Sequence, residues 1–146
     1  SRLVIVDTVS YSGLTVGQTY TLVGKLMDAQ TGVALRDTND REVTSTLTFT
    51  PKTSDGSVDM KFSFNAGNIK GAKIVVFEEM YVGKDVAGTP YLSHTDINDA
   101  GQTVTVTVSP KTGDSGIGIY IAIGAIALGA VVVVVVVSTI KRKKNK

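Results

Sequence analysis

From Leu3 to Tyr11 the chain alternates with the two-residue period of a strand: Leu3, Ile5, Asp7, Val9 and Tyr11 share one face, and Val4, Val6, Thr8 and Ser10 the other. Asp7 therefore interrupts an otherwise apolar face. Ser12-Gly13 reads as a turn, and Thr19 to Asp28 as a second strand with Tyr20, Leu22 and Leu26 inward. Thr31-Gly32 turns again and Arg36 to Arg41 is a charged loop. Glu42 to Thr50 predicts a strand with Val43, Leu47 and Phe49 inside and Thr44, Thr46 and Thr48 outside, closed by Pro51 to Gly56. Val58 to Phe64 alternates Met60, Phe62 and Phe64 against Asp59, Lys61 and Ser63. After a connection from Asn65 to Gly71, the nearly unbroken apolar run Ala72 to Val82 has the character of a central strand. Gly83 to Asp85 turns into a weak edge strand, Val86 to Ser93, that carries Pro90. A last strand, Gln102 to Val108, sets Gln102, Val104, Val106 and Val108 against Thr103, Thr105 and Thr107. No stretch before Ile117 has a helical period. The pattern predicts an all-β, immunoglobulin-like antiparallel β-sandwich over residues 1–108.

The pattern changes at the carboxyl end. The 24 residues from Ile117 to Ile140 carry no charge, and as a helix they span roughly 36 Å, enough to cross a bilayer core of about 30 Å. The run Val131 to Val137 favours strand in water, but in lipid the backbone must bond within its own segment, so 117–140 is expected to be a single transmembrane helix. Five of the last six residues are Lys or Arg, which places 141–146 in the cytoplasm and the β domain outside. Residues 109–116 form the linker.

Composition narrows the function. Residues 1–112 hold ten Lys and Arg against twelve Asp and Glu, so the ectodomain is mildly acidic and nucleic acid is not an expected partner. There are no cysteines, so an exported domain needs an ample core or another covalent staple. One histidine, no cysteine and no metal-ligand cluster argue against an enzyme, a cofactor or a metal site. Ser1 is no initiator Met and no secretory signal precedes it, although the topology demands export; the expectation is a carboxyl-terminal fragment.

Two polar residues, Asp7 and Gln102, lie on the apolar sides of their strands and need partners if buried. The pattern leaves each open: Asp7 to a turn cap or a lysine pair, Gln102 to backbone hydrogen bonds. Glu78 and Glu79 face opposite ways, and alternation does not choose between them. His94 sits eight residues before Gln102, in the loop leading to the last strand.

Ser109-Pro110-Lys111-Thr112-Gly113, followed by an apolar span and a basic tail, resembles the cell-wall sorting signal of Gram-positive surface proteins. The usual motif is Leu-Pro-any-Thr-Gly, and Ser109 stands where Leu is usual, a departure that bears on which sortase class acts. Pro110 keeps the segment extended and out of a strand ladder. The resemblance implies that a sortase thiolate attacks the carbonyl of Thr112, cleaves between Thr112 and Gly113, and passes Thr112 to the peptidoglycan cross-bridge. The implied product is an extracellular, cell-wall-anchored protein whose precursor is held in the membrane by 117–140.

A second resemblance covers Leu3 to Val108. Asp7-Thr8-Val9-Ser10-Tyr11-Ser12-Gly13-Leu14, Gly24-Lys25-Leu26-Met27-Asp28, Val75-Val76-Phe77-Glu78 and His94-Thr95-Asp96-Ile97-Asn98-Asp99-Ala100-Gly101-Gln102-Thr103 resemble the VaFE repeat, the Thr-Gln ester-bond domain of Gram-positive surface proteins. In that family a threonine hydroxyl of the first strand attacks the side-chain amide of a glutamine on the last, expelling ammonia. The resemblance implies Gln102 as acyl donor and Asp7, Glu78 and His94 as the surrounding acid and base groups. A base must take the hydroxyl proton, and a buried neutral carboxylic acid can polarise the amide. The family's reactive threonine lies upstream of the Asp7 segment, and none of the six residues before Asp7 is Thr. Thr8 is the nearest candidate, but it points away from Asp7. The expectation is a donor strand upstream of Ser1, with the ester forming in the longer polypeptide.

The sequence thus predicts a structural stalk module, at most a single-turnover self-crosslinker. The competing reading is an adhesin or pilus-associated ligand-binding domain. The loops are mostly Gly, Asp, Lys and Thr, so contact with a host ligand is expected through regions upstream.

Overall fold

The computed structural model describes residues 2–67, 69 and 71–98, and the backbone of 103–105, 119–124 and 138–139. Regular structure in these residues is all strand: β1 (Arg2–Tyr11), β2 (Tyr20–Asp28), β3 (Val33–Ala34), β4 (Thr44–Phe49), β5 (Gly56–Asn65), β6 (Lys73–Val82), β7 (Leu92–His94), β8 (Thr103–Thr105), β9 (Ile119–Gly124) and β10 (Ser138–Thr139). One sheet runs β10-β9-β1-β5. The other runs β3-β2-β6-β7, with β4 also on β2 and β8 also on β6. The long central pairs, β1 with β5 and β2 with β6, are antiparallel.

Alternation decides what lies between the sheets. The odd residues of β1 and the even residues of β5 and β2 turn inward, so Leu3, Ile5 and Val9 meet Met60, Phe62 and Phe64 on one side and Leu22 and Leu26 on the other. Ile74, Val76 and Met80 of β6 complete the core. Each such side chain, fully buried, contributes about 1.5 to 3 kcal/mol of transfer free energy. Within this sheet, neighbouring strands also pack closely where a side chain is missing. A Cβ on Gly56, opposite Tyr11 in the register, would meet the Tyr11 hydroxyl at 2.6 Å.

Several boundaries differ from the sequence expectation. The edge strand expected over Val86–Ser93 is a strand only at Leu92–His94. Pro90 has no N–H to give a ladder, and Gly88 adopts a positive φ of 73°, so the chain turns there before the Tyr91 N–H reaches the Met80 carbonyl. The strand expected from Glu42 begins at Thr44, because Glu42 makes an isolated bridge to Arg36 across the charged loop. Thr21, on the other face of β2 from Leu22, is buried as well, and its hydroxyl donates to the Gly83 carbonyl at 2.7 Å.

Of the apolar run expected as a membrane helix over 117–140, the described parts are extended. Tyr120–Gly124 pairs in parallel with Val4–Thr8 of β1, and Ser138–Thr139 pairs back on β9. The edge of β1 away from β5 presents unpaired backbone groups, and a β-branched apolar segment is well suited to satisfy them. Among the described residues no helix is long and apolar enough to cross a membrane. The rest of 117–140, the sorting motif Ser109 to Gly113 and the tail 141–146 lie outside the described residues.

Core packing predicts a sharp contrast between faces. Phe62→Ala, at a fully buried site, should lower stability by about 3 to 5 kcal/mol, whereas Thr46→Ala on the exposed face of β4 should change it by less than about 0.5 kcal/mol in urea unfolding.

Candidate functional site

β1 carries Asp7 inward because it falls in the same alternation as Ile5 and Val9. It is fully buried, lies opposite Met60 in the register, and neither carboxyl oxygen has a hydrogen-bond partner among the described residues. Burial, and after it the negative charge of Asp59 on the adjacent strand, together push the Asp7 carboxyl up to about 8. At neutral pH Asp7 is therefore mostly a neutral acid, able to donate a hydrogen bond.

Glu78 is the corresponding residue of the other sheet. The even residues of β6 turn inward, which resolves the Glu78-Glu79 ambiguity: Glu78 is fully buried with both carboxyl oxygens unpartnered among the described residues. Glu79 faces outward and accepts a 2.6 Å hydrogen bond from the Tyr81 hydroxyl. That bond, followed by burial, raises the Tyr81 pKa.

The register aligns the site. On β6, Glu78 lies directly opposite Gly24 of β2 on one side and His94 of β7 on the other. Directly opposed residues bring their Cβ atoms to about 5 Å, so carboxyl and imidazole are neighbours on one rung. Gly24 faces the opposite sheet, where a Cβ on it would meet Met60 Sδ at 2.5 Å and Phe62 Cζ at 2.6 Å. Met60 is in turn the register partner of Asp7. One level of the sandwich therefore holds Asp7 and Met60 in one sheet and Gly24, Glu78 and His94 in the other.

Thr8 is on the far face of β1. Its hydroxyl donates to Asp59 Oδ1 at 2.8 Å, away from the interior where Asp7 lies. Gln102 lies outside the described residues; the next residue, Thr103, pairs with Val75 on the same strand that carries Glu78. The sequence names Gly24 only as the first residue of the Gly24-Lys25-Leu26-Met27-Asp28 segment and gives it no role; the reason for a glycine here lies in the facing sheet.

A family model described as TQ, T-Q ester bond containing domain, matches residues 1–106. Among solved structures, the chain is similar to a bacterial adhesin from Mobiluncus mulieris containing intramolecular disulfide, isopeptide and ester bond cross-links, with a TM-score of 0.50 and 13% identity over 71% of this chain. A second crystal form of that adhesin aligns with a TM-score of 0.48 and 13% identity, covering 74% of this chain and 57% of the adhesin. The chain spans 57% of the adhesin's length in the first form as well, and at this identity the likeness concerns the fold. No curated protein sequence matches.

The buried acid makes stability depend on pH. The folded-state pKa of Asp7, about 8, stands above its ordinary 3.8, so the folded state holds the proton more tightly than the unfolded chain. Its stabilising contribution is complete below about pH 4, falls by roughly 1.4 kcal/mol per pH unit above that, and is lost above about pH 8. Asp37 and Glu42 are shifted the opposite way, lowered by the Arg41 backbone N–H and the Lys25 ammonium respectively. Urea unfolding between about pH 5 and pH 8 should show a downward slope in the wild type that Asp7→Asn removes; parallel profiles would contradict the assignment.

Proposed function

Because the chain belongs to the T-Q ester bond containing domain family, we propose that it is a structural module of a Gram-positive surface protein, stiffened by an intramolecular Thr-Gln ester and fixed to the cell wall by sortase. Gln102 is the acyl donor. The nucleophile is a threonine on a strand upstream of Ser1, since Thr8 is turned to the outer face and engaged by Asp59. Its oxygen attacks the Gln102 side-chain carbonyl carbon, the carbon–nitrogen bond breaks, and the hydroxyl proton leaves with the amide nitrogen as ammonia.

The observation that carries this reading is the pair of fully buried carboxyl groups, Asp7 and Glu78, with no hydrogen-bond partner among the described residues. Leaving such groups unpaired in a core costs several kcal/mol, which is unfavourable for a domain that needed only packing. A reacting hydroxyl and amide would supply partners. Asp7, largely protonated at neutral pH, has the proton needed to polarise an amide, and Glu78 with His94 opposite it forms a pair suited to take and relay the hydroxyl proton. Exclusion of water from the same space protects the ester afterwards. A bond between first and last strands places tension on a covalent link instead of on strand ladders.

In this reading the upstream strand takes the edge of β1 away from β5. In this chain Ile119–Gly124 occupies it in parallel. The stalk role and attachment through Ser109, Pro110, Lys111, Thr112 and Gly113 rest on the order of motif, apolar span and basic tail. In that reading, cleavage between Thr112 and Gly113 removes the segment that contains Ile119–Gly124 and leaves the β domain on the wall.

Intact-mass measurement of the polypeptide extended upstream of Ser1 tests the ester. The expected mass is lower than the sequence mass by one ammonia, with the full mass restored by Gln102→Ala and the loss slowed at least about tenfold by Glu78→Gln. A full mass in the wild type, or an ammonia loss that survives Gln102→Ala, overturns the reading.

A further inference from the structure

Gly24 lies at a position where a strand normally gains from a side chain, in the middle of β2 with full-length partners on β6. The rungs of β2 on either side carry Leu22 and Leu26, both fully buried. Filling the same inward row with a third apolar residue would be the expected way to build a core. The residue is glycine instead, at the rung where the β6 partner is Glu78. Its backbone is not in the left-handed region, so no turn or positive φ requires glycine here. What requires it is the facing sheet: Met60 Sδ and Phe62 Cζ lie 2.5 and 2.6 Å from where its Cβ would stand.

We infer that Gly24 is a positioning residue for the acidic rung, the gap through which Met60 and Phe62 close against β2 beside Glu78 as a dry apolar lid. Three consequences follow from the geometry. Gly24 offers Glu78 no side chain across its rung, so among the described residues the cross-strand side chain opposite Glu78 is that of His94 on β7. Met60 is also the register partner of Asp7, so the same side chain that fills the Gly24 gap borders the second buried carboxyl. A methyl group at position 24 forces Met60 and Phe62 off this seat, and the opened seam admits water to both acids at once.

This inference rests on the ester reading for its purpose, but the lid can be tested without the ester. The titration of the Asp7 carboxyl carbon, followed by NMR in the chain itself, reports how dry the rung is; Asp59, the charge that acts on Asp7 from outside, is unchanged in every variant. Gly24→Ala should lower the Asp7 midpoint by about one pH unit or more, a tenfold weaker hold on the proton. Met60→Ala, which opens the lid without adding a clash, should do the same and serves if Gly24→Ala does not fold. Leu3→Ala, a comparable core truncation four residues from Asp7 along β1, should destabilise the domain yet leave the midpoint in place. In the polypeptide extended upstream of Ser1, Gly24→Ala and Met60→Ala should slow ammonia release, or speed hydrolysis of the formed ester, about tenfold relative to Leu3→Ala. An Asp7 midpoint in Gly24→Ala equal to that of the wild type, or an equal fall in Leu3→Ala, overturns the lid. A lowered midpoint in a protein that never releases ammonia supports the lid and overturns the ester beneath it.

Discussion

Two carboxyl groups buried in the space between two β-sheets are the constraint on which the rest of this structure turns. Asp7 enters from β1 and Glu78 from β6, each by strict alternation, and each is enclosed by apolar side chains. A carboxylate in such surroundings is unstable unless it is paired or protonated, and burial resolves the conflict at Asp7 by raising its pKa to about 8. The sandwich therefore carries a polar seam that opposes its own stability. Natural domains tolerate such a conflict where the groups have work to do.

The surrounding packing makes the seam possible. Leu3, Ile5 and Val9 flank Asp7 on its strand, Phe62 and Phe64 extend the apolar wall on β5, and Met80 and Val76 flank Glu78 on β6. The glycine opposite Glu78 allows the two walls to touch at that level. The arrangement suits the crosslinking proposed for it: an environment dry enough to hold a neutral acid, with His94 opposite Glu78 on the neighbouring strand. In the proposed module, ends of the chain far apart in sequence are joined there, and the acids that weaken the uncrosslinked fold build the bond that secures it.

Much of this was legible in one dimension. The inward sets of β1, β2, β4 and β5 follow from period-two alternation alone, and Asp7 stood out because it broke an apolar face. Alternation could not choose between Glu78 and Glu79, because β6 buries residues on both faces, Val75 and Tyr81 on one and Ile74 and Met80 on the other. The choice depends on which face meets the second sheet. Gly24 was legible only as part of a motif, since its cause is a contact with β5 some 36 residues later in the chain. The weak edge strand expected over Val86–Ser93 is confined to Leu92–His94, because Pro90 lacks the ladder N–H and Gly88 turns the chain. At the carboxyl end an apolar β-branched run suits both a bilayer helix and a strand, and sequence periodicity alone does not separate the two.

The central claim is that the core holds a carboxylic acid in its neutral form. Infrared spectroscopy of the folded chain at neutral pH tests it most directly, by comparing the wild type with Asp7→Asn in the region where a protonated carboxyl absorbs apart from a carboxylate. The account predicts a protonated-carboxyl band in the wild type that disappears in the variant and fades in the wild type as the pH is raised past about 8. A spectrum with carboxylate bands alone, unchanged by Asp7→Asn, would contradict it.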